Sequence, residues 1–224
     1  MAYAYANTPP LAAQDPIILT VPGLGNSGPR HWQSLWENDR DNMERIEMEA
    51  WDAPVRTLWV NKLNLAIRRY ADRPVILVAH SLGCLAVAWW AQYERPAYGT
   101  PVAGALLVAP PEVDVAPLKQ ELLPFAPTPT IHLPFPSILV ASRNDPFMTF
   151  ERARRLATFW GSGFVDAGAA GHINADSALG KWSYGRSLLD RLVNHVQGSR
   201  AQQPLFDDRE VHYAADYPLW SSTL

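Results

Sequence analysis

The stretch from Val75 to Tyr93 constrains this chain more than any other. Val75 to Ala79 is an unbroken aliphatic run, and Leu82 to Ala91 holds only Leu, Gly, Cys, Ala, Val and Trp. Only His80 and Ser81 separate the two. Five consecutive apolar residues suit a strand covered on both faces. A helix with no polar face has to pack against a sheet. A buried strand turning within two residues into a buried helix is the core of an α/β unit with a parallel sheet.

The rest of the chain repeats the alternation. Ile17 to Val21 reads as a buried strand running into the loop Pro22-Gly23-Leu24-Gly25-Asn26-Ser27-Gly28-Pro29. Trp32, Leu35 and Trp36 mark a first helix beginning near Pro29. Arg45 to Met48 suits an edge strand. Pro54 opens a second helix with Val55, Leu58, Trp59, Leu63, Ala66, Ile67 and Tyr70 on its inner stripe. Further strands are expected at Val102 to Ala109, Ser137 to Ser142 and Phe164 to Asp166, with helices at Phe150 to Trp160 and Trp182 to Val196. Between residues 110 and 136 stand eight prolines. A segment so poor in backbone donors is an irregular excursion beside the sheet, with one helical turn around Leu118. The expected architecture is a three-layer α/β sandwich around a mostly parallel sheet of about six strands.

Length and charge bound the function. A chain of 224 residues, 48% hydrophobic and 18% charged, is one domain with a core large enough to need no staples. We divide it into a loose leader over 1–15, a folded domain over 16–198, and a tail over 199–224 that packs on the domain or meets a partner or a second copy. Nineteen basic against 22 acidic residues, a net charge of −3, argues against nucleic-acid binding through a basic field. Runs such as Val102 to Ala109 are far shorter than a membrane span. A single cysteine, Cys84, excludes an internal disulfide and favours the cytoplasm. No residue grouping has metal-ligand spacing, so neither a metal nor another cofactor is expected.

Ala79-His80-Ser81-Leu82-Gly83 has the form small-x-Ser-x-Gly at a strand-to-helix junction, the setting of a nucleophile elbow. A serine hydroxyl needs an imidazole to take its proton and a carboxylate to orient that imidazole, in the chain order Ser, acid, His. Asp145, just after the strand ending near Ser142, is the candidate acid, with Asp114 its rival. His172, in the small-residue loop from Gly168 to Asn174, is the candidate base. The oxyanion donors should be the backbone N–H of Leu82 and one from the first loop, Leu24 with Gly25 in reserve. Gly25, His31, Trp32 and His80 are candidate substrate contacts, and Cys84 is expected in the core.

These residues carry a resemblance. The chain is similar to the small α/β-hydrolase family typified by retinoblastoma-binding protein 9 and its bacterial YdeN-like relatives. The likeness rests on Val21-Pro22-Gly23 with His31-Trp32 beyond it, Trp51-Asp52-Ala53-Pro54, Ala79 to Cys84, Ser142 to Pro146, and Gly171-His172-Ile173-Asn174. It implies a compact α/β-hydrolase without a large cap domain and a catalytic Ser81, Asp145 and His172. Ala79 stands where many α/β-hydrolases have glycine, and the tail from Ser199 runs past the family's usual end.

The expected activity is that of a metal-independent serine hydrolase of small acyl compounds, a carboxylesterase first. A thioesterase, amidase or small peptidase would use the same residues. A protein-interaction module that keeps the fold without turnover is the rival from another class.

Overall fold

The computed structural model describes residues 15–116 and 119–198. Six strands form one sheet: β1 (Ile17–Val21), β2 (Met43–Arg45), β3 (Val75–His80), β4 (Val102–Val108), β5 (Ser137–Ala141) and β6 (Gly163–Asp166). Their spatial order is β2-β1-β3-β4-β5-β6, and every neighbouring pair is parallel. The helices are α1 (Trp32–Glu37), α2 (Arg56–Arg69), α3 (Leu82–Glu94), α4 (Phe150–Trp160) and α5 (Ser183–Gln197).

Strand side chains alternate between faces, so each strand feeds two cores. Leu19, Val21, Leu77, Ala79, Leu107 and Leu139 face α2, α3 and α4, where Trp59, Leu63, Leu85 and Trp160 cover them. Ile18, Ile76, Val78, Leu106, Ile138 and Val165 face α1 and α5 and meet Trp32, Trp36, Leu189 and Leu192. The all-apolar α3 lies over the sheet centre, which is why it carries no polar stripe: every residue from Leu82 to Ala91 is buried.

From β1 the chain goes outward to β2, then returns past β1 to β3. The crevice at the carboxyl ends of β1 and β3 is therefore the topological switch point, the usual place for a ligand in an open parallel sheet. The Pro22–Asn26 loop and Ser81 both lie there.

The proline-rich segment is anchored by donors from elsewhere. Proline supplies no N–H, and three of the strip's carbonyls are met by side chains from the helices. Trp89 donates its indole N–H to the Phe125 carbonyl at 2.8 Å, Trp160 to Pro129 at 2.7 Å, and Arg56 to Ala126 at 3.0 Å. Its one regular piece among the described residues is a 3-10 turn, Gln120–Phe125; the turn expected around Leu118 lies outside them. No cap domain is inserted among the described residues. The leader up to residue 14 and the tail from 199 also lie outside them.

Three local expectations are corrected. The edge strand is Met43–Arg45, not Arg45 to Met48; Ile46 and Met48 are buried, but in the loop that follows it. Helix α1 starts at Trp32 because His31, not Pro29, caps it. Val55 is the exposed N-cap of α2 rather than part of its inner stripe, and Val60 is buried there.

Candidate active site

The elbow forms where β3 ends. Ser81 has φ 52° and ψ −125°, a strained backbone for a residue with a Cβ, and its N–H bonds the Val108 carbonyl at 2.9 Å. Two glycines let the neighbouring loop come this close. A Cβ on Gly83 would lie 2.2 Å from the Val21 carbonyl oxygen and 2.7 Å from that of Pro22. One on Gly23 would lie 2.8 Å from the Ser81 Cβ. The first loop is thus pressed onto the first turn of α3, backbone against backbone.

Ser81 Oγ lies 2.8 Å from His172 Nε2, and both Asp145 carboxylate oxygens lie 3.0 Å from His172 Nδ1. The carboxylate can only accept, so Nδ1 carries the proton and Nε2 is free to receive the serine's. Asp145 also accepts the Phe147 N–H at 2.9 Å, and the Phe147 ring meets the imidazole edge-on. His172 and Asp145 are buried. The rival acid, Asp114, is exposed and accepts the Thr128 N–H instead.

Of the two loop N–H groups expected as the second oxyanion donor, only that of Leu24 is free. Gly25 N–H is bonded to the Trp51 carbonyl at 2.9 Å and Asn26 N–H to Gly23 at 3.1 Å, whereas Leu24 N–H has no acceptor among the described residues. Leu82 is the first residue of α3, so no carbonyl within the helix takes its N–H. Leu24, His31, His80, Ser81, Phe147 and His172 line a cleft of about 240 Å³, with Pro111 and Leu122 of the proline-rich strip on another wall.

A family model described as serine hydrolase matches residues 18–191. This chain belongs to the serine hydrolase family. The structure of a YdeN-like hydrolase from Pectobacterium atrosepticum is similar at 33% identity, covering 83% of this chain and 94% of that one, with a TM-score of 0.71. The ydeN gene product of B. subtilis matches at 21% identity over 79% of this chain and 98% of its own, TM-score 0.63. A thermophilic esterase from Thermogutta terrifontis shares the fold at 13% identity, 82% and 91% coverage and TM-score 0.62. No curated protein matches. The fold of this serine hydrolase is that of the α/β-hydrolases.

The remaining expected contacts of the hydrolase divide. His80 and His31 line the cleft. His80 donates from Nε2 to the His172 carbonyl at 2.9 Å, and burial holds its pKa well below the usual imidazole value. His31 caps α1 with Nδ1, which accepts the Gln33 N–H at 3.2 Å; burial, with Arg45 and His172 nearby, lowers its pKa to about 4. Trp32 does not line the cleft. It is 1% exposed, packed at a tilt against Trp36 and Trp182, and its indole N–H holds the Ile173 carbonyl at 2.8 Å. An indole N–H this deep must find a carbonyl, and that requirement turns Trp32 away from the cleft. Gly25 is likewise outside the cleft, its N–H already committed. Cys84 is buried, and burial pushes its thiol well above the ordinary range.

Four residues of the hydrolase escaped the sequence reading. Gln33, fully buried, accepts from Ser27 Oγ at 2.6 Å and donates to the Val78 carbonyl at 2.9 Å, fastening the first loop to β3. Arg45 reaches Ser27 O at 2.9 Å, Ser34 Oγ at 2.6 Å and Glu37 at 2.7 Å. Ser142 and Asn144, in the acid's loop, accept the N–H groups of Ala170 and Gly171 at 2.9 and 2.7 Å, which fixes the turn carrying His172. A polar Gln33 among tryptophans and an Asn beside the acid were the available signals.

Proposed function

We propose that this protein is a carboxylesterase of small acyl compounds acting through a covalent acyl-serine. The observation that carries this reading is the continuous hydrogen-bonded line from Ser81 Oγ through the His172 imidazole to Asp145, with two unspent N–H groups at its serine end. Ser81 Oγ attacks the ester carbonyl while His172 Nε2 takes its proton. Asp145 holds the ring in its Nδ1–H tautomer and stabilises the imidazolium. The Leu24 and Leu82 N–H groups receive the negative charge on the former carbonyl oxygen. His172 then gives its proton to the departing alcohol, and water releases the acid by the same path. The chemistry calls for no metal or cofactor.

The size of the cleft supports small substrates: about 240 Å³ falls below the roughly 300–1,000 Å³ of drug-sized ligand sites. The reading places the reaction within residues 16–198. It places the protein in the cytoplasm, supported by its single, free cysteine. No helix among the described residues is long and apolar enough to cross a membrane.

The test is intact mass after incubation with a fluorophosphonate, on the native chain and on Ser81→Ala. One adduct on the native chain, absent from the variant, is the expected result. No adduct on the native chain would overturn the activated serine and leave the non-catalytic interaction module standing.

A further inference from the structure

Three imidazoles line the cleft side by side. The His31 ring meets the His80 ring edge-on at 4.7 Å, and His80 lies 5.0 Å from His172. Two have their ring N–H committed. His172 uses both nitrogens on Ser81 and Asp145, and His80 donates Nε2–H to a carbonyl. His31 differs. Its Nδ1 accepts the Gln33 N–H, which puts the ring proton on Nε2, and that Nε2 is buried with no partner. The residue as a whole is 4% exposed, yet it lines the cleft.

A buried donor without an acceptor is rare in a folded protein, because it has lost its water without replacement. One that borders a substrate cleft is satisfied when a ligand supplies the acceptor. Its depressed pKa, about 4, keeps the ring neutral at pH 7, so it donates without adding a second positive charge beside the imidazolium that forms on His172. The same cleft contains one ammonium, Lys119, set 4.9 Å over the Phe147 ring, and no carboxylate side chain lines it among the described residues.

We propose that the His31 Nε2–H is a specificity-determining donor for a second oxygen on the substrate's acyl group, and that Lys119 extends this preference to acyl groups ending in a carboxylate. The substrate class is then short esters of dicarboxylic or oxygen-bearing acids rather than plain fatty acyl esters. This rests on the esterase reading of the cleft. A site built around a donor discriminates strongly against an isostere that lacks the acceptor.

The experiment reads binding in full-length Ser81→Ala, where the nucleophile is gone and the esters persist. Titration calorimetry compares monoethyl succinate with ethyl 4-methylpentanoate, whose isopropyl group has the shape of the carboxylate. We expect the succinate to bind at least about tenfold more tightly. Adding His31→Asn, which retains a good helix-capping side chain but is too short to place a donor at Nε2, should shrink that ratio about tenfold. His31→Gln, which carries a longer amide donor, should restore part of it, which a purely structural role for His31 would not. Equal affinities for the two esters, a ratio that survives His31→Asn, or a ratio lost only with Lys119→Met would overturn the role of His31. Because turnover is not measured, such a failure is separate from failure of the fluorophosphonate test, which would strike the esterase reading itself.

Discussion

Replacing Gly83 by alanine probes the contact on which the proposed oxyanion site depends. The new Cβ would sit 2.2 Å from the Val21 carbonyl oxygen, where ordinary contact begins at 3.4 Å, so the two backbones must separate by about 1 Å. β1 cannot retreat, because it is paired residue for residue with β3 from Ile17↔Val75 to Val21↔Ala79. The displacement therefore falls on the Pro22–Leu24 loop and the first turn of α3, the two carriers of the free N–H groups. An overpacked backbone costs about 1–3 kcal/mol of stability. A misplacement of this size, or loss of one oxyanion donor, costs about 10²-fold in kcat. Gly104→Ala is the matched comparison: its Cβ would meet the Leu192 side chain at 2.9 Å, in mid-sheet beneath α5 and away from the cleft. Thermal unfolding and kcat/KM for p-nitrophenyl acetate should show both variants less stable and only Gly83→Ala slowed by about two orders of magnitude. Wild-type kcat/KM in Gly83→Ala, or an equal loss in both, would refute the reasoning.

Two further outcomes follow from groups behind the cleft. His31 and His80 are buried neutral, with pKa values below that of a free imidazole. The unfolded chain takes up protons near pH 6.5 while folded His31 waits until about 4, so stability is full above pH 6.5 and falls as pH drops towards 4. For His31 alone the loss is about 3 kcal/mol by pH 4; urea midpoints from pH 7.5 to 4.5 should decline, and less steeply in His31→Asn. Arg45→Met strips Glu37 of its ion pair, and Ser27 and Ser34 of their donor. With both charged groups partly exposed, the expected loss is about 2 kcal/mol, read as a lower urea midpoint that Glu37→Gln on the same background recovers in part; an unchanged midpoint would count against this network.

What was legible in the sequence was whatever a local pattern encodes. The β3–Ser81–α3 junction could be read because burial on both faces leaves an unbroken apolar run, and α4 because Thr149 caps its start and Gly161 ends it in the left-handed region. The edge strand was misplaced by two residues. Three residues paired on one side only have no alternation of their own, and buried Ile46 and Met48 mimic a strand. The candidate Ser, acid and His lie 64 and 27 residues apart, and chain order suggested them. The donor choice between Leu24 and Gly25 depended on Trp51, whose carbonyl takes the Gly25 N–H, and no local rule reaches that partner. Trp32 was misjudged for the same reason: its neighbours Trp36, Trp182 and Ile173 are defined only by tertiary packing.

The turn that carries His172 owns almost none of its own supports. Its shape is held by Trp32 from α1, by His80 from β3, and by Ser142 and Asn144 from the end of β5. These anchors come from the first, middle and last thirds of the domain. The imidazole can reach its position only once α1, β3 and the end of β5 have come together, so no fragment that omits one of these, and no graft of the elbow alone onto another scaffold, would inherit the proposed proton acceptor with it.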